Sequence, residues 1–120
     1  MPKLRPLKRN DFACKCGCGF DAVDIELYQV LRGVKRRFRA NLTINSACRC
    51  ESHNKAVGGA SSSQHIKGKA ADFVIDGAPP SQVASYLEMR YPNKYGIGRY
   101  NSFTHIDVRA KMARWDNSDG

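Results

Sequence analysis

Apolar residues recur at helical spacing in two parts of the chain. Between residues 22 and 40 the pattern predicts one helix, with Asp21 placed as its N-cap and Asp24 in its first turn. Pro79-Pro80 opens a second helix, predicted over 81–90. The positions expected to face the core are Leu27, Val30, Leu31, Val34 and Phe38 in the first helix and Val83, Leu87 and Tyr91 in the second.

Shorter apolar runs bounded by turn residues predict the strands of a sheet. These runs cover 42–45, 69–75, 95–100 and 103–109, and Asn101-Ser102 joins the last two as a hairpin. A short helical turn is expected over 53–57, ended by Gly58-Gly59. The pattern therefore predicts an α+β fold, a small single domain in which a mostly antiparallel sheet is flanked by helices.

The chain of 120 residues is long enough for one domain. We expect a basic N-terminal arm over 1–11 and a folded domain over 12–120, with Phe12 and Phe20 attaching the N-terminal segment to the core. No apolar run approaches the roughly 18 residues of a membrane span, so no membrane insertion is expected. The first residues lack the apolar stretch of a secretory signal, so we expect synthesis in the cytoplasm without a visible export signal.

Lysine and arginine outnumber aspartate and glutamate by 20 to 11, which gives a formal net charge of +9. Such a surface attracts polyanions, whether nucleic acid, anionic cell-wall polymers or acidic lipid. The charge is concentrated in the arm, at Lys3, Arg5, Lys8 and Arg9, and on the first predicted helix, at Arg32, Lys35, Arg36, Arg37 and Arg39. A solvated helix face explains the second cluster equally well, so charge alone identifies no partner.

Five cysteines fall into two groups, C-K-C-G-C-G at 14–19 and C-R-C at 48–50. Their alternate spacing differs from the C-x-x-C of common zinc knuckles. Three interpretations stay open: disulfides that staple the N-terminal segment onto the domain, a structural zinc site, or reduced thiols of a cytosolic protein. The staple is favoured if the protein acts outside the cytoplasm. The sequence does not determine the pairing of Cys14, Cys16, Cys18, Cys48 and Cys50.

Two histidines and one aspartate have the residue types of a catalytic metal site. His65 begins H-I-K-G-K-A-A-D, which ends at Asp72, and His105 lies in a different predicted strand. Two imidazoles and a carboxylate, with the fourth position left to water, are what a catalytic zinc ion requires. Gly68 is expected to let the backbone turn tightly beside the metal. The remaining histidine, His53, is expected to be structural.

Together these motifs resemble the zinc D-Ala-D-Ala carboxypeptidases and murein endopeptidases (M15-type peptidases), whose fold the hedgehog signalling domain shares. The matching stretches are I-N-S-A-C-R-C at 44–50, H-N-K-A-V-G-G-A at 53–60, S-Q-H-I-K-G-K-A-A-D at 63–72, F-T-H-I-D-V-R at 103–109 and A-R-W at 113–115. Their order and spacing hold from about residue 12 to Trp115, so the resemblance extends over nearly the whole chain. The resemblance implies a hedgehog/DD-peptidase-like fold and one catalytic Zn²⁺, with His65, Asp72 and His105 as its ligands.

The resemblance also implies roles for residues around the metal. Arg49 would face the substrate carbonyl and stabilise its developing negative charge, and Ser63 would hold the loop or contact the peptide. Trp115 is expected either to wall the substrate groove or to anchor the core. Arg109 is expected either to grip a terminal carboxylate or to be a surface charge.

The sequence departs from the family pattern at the position of the general base. Many of the proteins that it resembles carry an acidic residue three positions before the last histidine, and here that position is Ser102. A serine cannot take a proton from water at neutral pH. Asp107 is the substitute that we expect, because residues two apart in a strand share a face and His105 precedes it by two. Asp107 acts either as the general base or as an orienting partner of a metal ligand.

The sequence therefore predicts a zinc peptidase that hydrolyses peptide bonds in peptidoglycan stem peptides, as a D-Ala-D-Ala carboxypeptidase or a murein endopeptidase. By analogy, a small basic wall hydrolase of this kind resembles a phage lysis enzyme (an endolysin) that is released to the cell wall. The expected partner is the peptide substrate, with no nucleic acid, and we expect a monomer. Two alternatives remain: a non-catalytic, zinc-containing hedgehog-like binding domain and, further behind, a basic nucleic-acid module held by a cysteine-zinc site.

Overall fold

A five-stranded sheet organises the residues that the computed structural model describes, 4–59 and 63–118. The strands are β1 (Leu42–Ser46), β2 (Ala70–Ile75), β3 (Gly96–Arg99), β4 (Thr104–Asp107) and β5 (Ala113–Asp116). Their order in the sheet is β1-β2-β4-β3-β5, with three antiparallel pairings and a parallel pairing of β3 with β5. The predicted α+β fold is confirmed, and β5 is a strand that the sequence pattern did not reveal.

The same described residues form three α-helices, α1 (Ile25–Phe38), α2 (Glu51–Ala56) and α3 (Pro80–Arg90). The prediction of Asp21 as the N-cap is wrong, because Asp24 caps α1 and its side chain accepts from the amide of Glu26 at 2.8 Å. The amide of Asp24 itself donates to the carbonyl of Gly68 at 2.9 Å, which keeps the preceding residues out of the helix. α1 is shorter than the predicted 22–40 at both ends, and at its C-terminal end Arg39 is the C-cap in the left-handed region. None of these helices has the length and apolar character that crossing a membrane requires.

The core lies on one face of the sheet, where α1 and α3 cover it. Alternate strand residues point to this face, and the register places Ala71, Ile106 and Ile97 side by side across β2, β4 and β3. All three are fully buried. The helices cover them with buried apolar stripes, Leu27, Val30, Leu31 and Val34 from α1 and Val83, Ala84 and Leu87 from α3.

The opposite face carries a row of residues that the register aligns across four strands. Asp72 pairs with His105, His105 with Gly98, and Gly98 with Trp115. Directly paired residues share a face, so the side chains of this row stand beside one another. Position 98 needs glycine, because a Cβ atom there would lie 2.4 Å from the indole nitrogen of Trp115.

The described part of the N-terminal segment packs onto the domain. Leu7 is buried in the core, and Phe12, at the end of a 3₁₀ helix (Arg9–Phe12), is fully buried. The amide of Cys48 donates to the carbonyl of Phe12 at 3.0 Å. Phe20 also packs against the core, so both aromatic residues attach the segment as expected. The boundary between residues 11 and 12 stays a prediction.

Candidate metal centre

His65, Asp72 and His105 converge, and their ligand atoms lie within 4.8 Å of one another. Asp72 Oδ2 lies 3.4 Å from His65 Nε2, and Asp72 Oδ1 lies 2.7 Å from His105 Nδ1. Asp72 and His105 are direct partners in the register of β2 and β4, whereas His65 lies in the loop before β2. Two strands and one loop thus bring two imidazoles and a carboxylate to one point.

Each imidazole has an oxygen acceptor on its far side. His65 Nδ1 lies 2.7 Å from the carbonyl oxygen of Ala47, so this nitrogen carries the proton and the lone pair of Nε2 faces Asp72. His105 Nε2 lies 2.8 Å from Asp107 Oδ2, while its Nδ1 faces Asp72. A neutral imidazole has one N–H donor, so oxygen atoms on both sides of a ring leave one contact without a proton. A cation beside Asp72 resolves this conflict for both rings at once.

The charged states of the site follow from its burial and its contacts. Burial alone raises the pKa of Asp72, but the contacts with the imidazoles of His105 and His65 hold that pKa well below its usual range. Burial likewise raises the pKa of Asp107, and the contacts with His105 and Arg109 lower it well below normal. Burial lowers the pKa of His105, whereas Asp107 and Asp72 raise it above its ordinary value. Both carboxylates are thus ionised at neutral pH, as metal binding requires of Asp72.

Asp107 is fully buried behind His105 and is paired with Arg109. Arg109 Nε and Nη2 donate to the two carboxylate oxygens, each at 2.7 Å. A Cβ atom on Gly96, opposite Asp107 in the register, would lie 2.5 Å from both oxygens, so the glycine makes room for the carboxylate. Asp107 contacts the nitrogen of His105 that points away from Asp72. These contacts favour the orienting role of Asp107 over that of a general base.

Arg49 extends from the loop after β1 to the carboxylate of Asp72. Its Nη2 lies 3.5 Å from Asp72 Oδ2. Its Nε and Nη1 donate to Ser46 Oγ and Asn54 Oδ1, both at 3.1 Å. The amide of Arg49 also donates to the carbonyl of His65 at 3.0 Å, which ties together the two loops that reach the site. The guanidinium is therefore held beside the ligand cluster.

An open cavity of about 540 Å³ lies over these side chains. All eight residues predicted for the site line it, namely Arg49, Ser63, His65, Asp72, His105, Asp107, Arg109 and Trp115. Ser63 Oγ accepts from the amide of His65 at 3.1 Å and so holds the loop. Trp115 stands beside His105, with the ring centres 5.0 Å apart, and its indole N–H donates to the Tyr100 hydroxyl at 2.9 Å. The structure thus brings the predicted residues together in one cavity.

Sequence reasoning missed some of the lining and misjudged the surroundings of one turn. Gln64, Lys67 and Tyr100 also line the cavity. The sequence contained a signal for each of them, because Gln64 and Lys67 lie inside the motif at 63–72 and Tyr100 ends the run Y-G-I-G-R-Y. Gly68 forms the expected tight turn, with φ of 69°. A Cβ atom on Gly68 would lie 2.2 Å from the carbonyl oxygen of Ala22, so this glycine accommodates the segment before α1 instead of the metal ligands.

The donor set fits a zinc ion. Catalytic zinc sites use imidazole nitrogens and a carboxylate oxygen and keep one position open. In a tetrahedron with metal–ligand distances of about 2.0–2.1 Å, neighbouring ligand atoms lie about 3.3–3.4 Å apart. The 3.4 Å between His65 Nε2 and Asp72 Oδ2 matches this spacing, whereas the 2.7 Å between His105 Nδ1 and Asp72 Oδ1 is a hydrogen-bond distance that a metal ion would widen. The carbonyl of Ala47 and the carboxylate of Asp107 are the second contacts that metal-bound histidines usually make.

The comparisons with known proteins agree with this centre. The family model for Peptidase M15 matches residues 5–107, which include the ligand cluster but not β5 or Trp115. No curated protein matches the chain. Because the matched segment covers most of the 120 residues, the chain belongs to the Peptidase M15 family, whose members are metal-dependent peptidases.

Proposed function

We propose that the chain is a zinc-dependent peptidase that hydrolyses peptide bonds in peptidoglycan stem peptides. The observation that carries the proposal is the convergence of His65, Asp72 and His105 in an open cavity, with an oxygen acceptor on the far nitrogen of each ring. Membership of the M15 family supports a metallopeptidase. When bound, zinc polarises a carbonyl group and lowers the pKa of water to about 7.

The chain's own residues prepare the ligands. The carbonyl of Ala47 holds the proton of His65 on Nδ1, and Asp107 holds the proton of His105 on Nε2. Each ring therefore directs its unprotonated nitrogen towards Asp72. The pairing of β2 with β4 places Asp72 and His105 side by side before any metal binds, so only their side chains have to adjust.

Arg49 is proposed to stabilise the negative charge that develops on the oxygen of the scissile carbonyl. Its side chain is 14% exposed and lies beside Asp72, so it reaches the cavity without being fully hydrated. A charged donor in such a partly dry site stabilises developing charge more strongly than the same group in water. Its contacts with Ser46 and Asn54 fix its direction in advance.

The walls of the cavity are proposed to position the peptide. Trp115 and Tyr100 form one aromatic wall, linked by their hydrogen bond. Arg109 packs over Trp115, with its guanidinium carbon 5.4 Å from the ring centre, and is already paired with Asp107. We therefore propose that Arg109 mainly holds Asp107 in place. A terminal carboxylate of the substrate would have to share the positive charge of Arg109 with Asp107.

Two carboxylates, Asp72 and Asp107, are available for acid–base work among the described residues that line the cavity. Ser102, at the position where related proteins carry an acid, is exposed in the turn before β4. If Asp72 binds the metal, Asp107 remains, but it lies behind His105. We propose that Asp107 orients His105, and the zinc affinity of an Asp107 variant distinguishes this role from that of a base.

The basic surface supports a wall substrate. A groove of about 680 Å³ between the N-terminal segment and α1 is lined by the cationic residues Arg5, Arg32, Lys35, Arg36 and Arg39. Long-range attraction to anionic wall polymers raises the local concentration of enzyme without selecting the bond that is cut. We propose that the protein acts at the cell wall after release, in the manner of a phage lysis enzyme.

Digestion of purified muropeptides tests the proposal. We expect the zinc-loaded protein to release D-alanine or to split an internal bond of the stem peptide, which mass spectrometry identifies. His65→Ala should bind one zinc ion fewer than the wild type and lose the activity. His53→Ala, which removes a histidine of α2 that is not among the residues lining the cavity, is the control and should change neither.

Three outcomes contradict the proposal. Intact muropeptides after incubation with the zinc-loaded protein favour the alternative of a hedgehog-like binding domain without catalysis. Undiminished zinc content in His65→Ala contradicts the metal centre itself. Protection of a nucleic acid from nuclease digestion, with no effect on muropeptides, favours the alternative of a basic nucleic-acid module.

A further inference from the structure

A second group of metal-binding side chains lies outside the cavity just described. The sulfur atoms of Cys14, Cys16, Cys18 and Cys50, here called the four-cysteine cluster, lie within 4.8 Å of one another. No disulfide joins any of the cysteines in the described residues, and Cys48 is buried and is not one of these four. The two cysteine groups of the sequence therefore meet, but through four separate thiols.

The separations between the sulfur atoms match a metal site. They are 3.4 Å between Cys14 and Cys16, 3.9 Å between Cys14 and Cys50, and 3.6 Å between Cys16 and Cys50. A disulfide bond is about 2.05 Å long, so these pairs are not bonded. Zinc binds thiolate sulfur at about 2.3 Å, and the edge of such a tetrahedron is about 3.8 Å. The observed values lie on either side of that edge.

The backbone of the N-terminal segment is shaped to point its thiols inward. Gly17 and Gly19 have φ of 83° and 92°, in the left-handed region that glycine tolerates best. The amide of Cys14 donates to the carbonyl of Phe20 at 2.8 Å, which closes the loop. The glycines of C-K-C-G-C-G thus allow three alternating cysteines to lie around one point.

Backbone amides also donate to the sulfur atoms. The amide of Cys50 donates to Cys14 Sγ and the amide of His53 donates to Cys50 Sγ, each at 3.4 Å. Hydrogen bonds of this kind stabilise the negative charge of a thiolate and orient the ligand, as outer contacts do in other metal sites. Cys50 is the N-cap of α2, so the start of that helix is part of the cluster.

We propose that the four-cysteine cluster binds one structural zinc ion. Four thiolates complete a tetrahedron and leave no open position, which is the arrangement of structural and not of catalytic zinc. The ion joins the N-terminal segment to the loop that carries Arg49, next to Cys50 in the chain. This site shares no ligand with the histidine centre, and it stands whether or not the protein is a peptidase.

Counting metal on the purified full-length protein tests the site. We expect two zinc ions per wild-type chain, and one in the double variant Cys16→Ser/Cys18→Ser. Both of these cysteines are exposed, so their replacement removes little packing. Cys48→Ala is the control for the loss of a thiol, because it removes a buried cysteine outside the cluster and should retain two ions. His65→Ala should also retain one ion, held by the cysteines.

Cobalt distinguishes the ligands directly. In the His65→Ala variant loaded with Co²⁺, we expect the intense visible bands and sulfur-to-cobalt charge transfer of a tetrahedral thiolate site. Retention of two zinc ions in the double cysteine variant overturns the inference. So does a cobalt spectrum without thiolate bands, iron bound in place of zinc, or a wild-type mass that shows disulfide formation and no metal at the cysteines. The two proposals fail separately: the cysteine variants test the structural zinc ion, and His65→Ala tests the peptidase.

Discussion

Replacing Asp107 with asparagine separates an orienting role from that of a general base. The buried carboxylate accepts two hydrogen bonds from the Arg109 guanidinium and faces His105 Nε2 at 2.8 Å. Asparagine keeps the shape of the side chain, but its amide nitrogen cannot accept, so at least one of these contacts is lost. The neutral amide also removes the charge that holds the proton of His105 on Nε2.

The expected magnitude follows from the contact that is weakened. Loss of the second contact of a metal-binding histidine typically lowers metal affinity by about 10- to 100-fold. This corresponds to about 1.4–2.8 kcal/mol of binding free energy. We expect the zinc affinity of Asp107→Asn to fall within this range, and kcat at saturating zinc to recover most of its wild-type value. A general base instead contributes roughly 10²–10⁴ to the rate and has no effect on zinc affinity.

Two measurements on the same protein decide between the roles. Competition with a chelator gives the zinc affinity, and muropeptide turnover at saturating zinc gives kcat. Asp76→Asn removes the same charge from an exposed turn after β2 and should alter neither quantity. Circular dichroism checks that both variants are folded. Wild-type zinc affinity combined with a kcat lowered by about 100-fold or more refutes the orienting role and makes Asp107 the base.

Two further predictions concern the packing beneath the site and the pH dependence of stability. Gly98→Ala places a Cβ atom 2.4 Å from Trp115 Nε1 and should destabilise the fold by about 1–3 kcal/mol in chemical denaturation. Gly33→Ala, in α1 with nothing near the added atom, should instead stabilise it by about 0.5–1 kcal/mol, and equal effects would contradict the reasoning. Burial and then the hydrogen bond to Glu26 raise the pKa of Tyr95 above its usual value. Above about pH 10 the unfolded chain releases this proton and the folded chain keeps it, so stability falls as pH rises. In thermal unfolding, the Tm of Tyr95→Phe should therefore fall less than that of the wild type between about pH 9 and 11. An identical fall in Tm would refute the raised pKa of Tyr95.

The residues proposed for the site came partly from local pattern and partly from the resemblance to a known family. The motif at 63–72 singles out His65 and Asp72, and the alternation of a strand places His105 and Asp107 on one face. The sequence does not show which strands are neighbours. Asp72 meets His105 because β2 lies beside β4 in the sheet, although β3 lies between them in the chain.

The predictions that failed, the N-cap of α1 and the missing strand β5, concern features that are decided by contacts between residues far apart in the chain. Asp21 and Asp24 are both suitable caps in the sequence, and the hydrogen bond from the Asp24 amide to Gly68 decides for the second. The residues of β5 (Ala113–Asp116) alternate between apolar and polar, but over only four positions, which is the shortest pattern that predicts a strand. Its parallel pairing with β3, and the room that Gly98 leaves for Trp115, establish it as a strand.

Two of the polar groups at the centre come from loops, and this makes the ties between loops important to the chemistry. Asp72 and His105 are fixed by strand pairing, whereas Arg49 and His65 lie in loops and are joined by one backbone hydrogen bond of 3.0 Å. A domain of this size has few apolar contacts available to hold such loops. A metal ion at the four-cysteine cluster would fix the chain immediately after Arg49, since Cys50 both caps α2 and contacts the cluster. The position of Arg49 would thus depend on the cysteine-bound ion, so removing that ion should lower kcat for muropeptides more than it changes zinc affinity at the histidines.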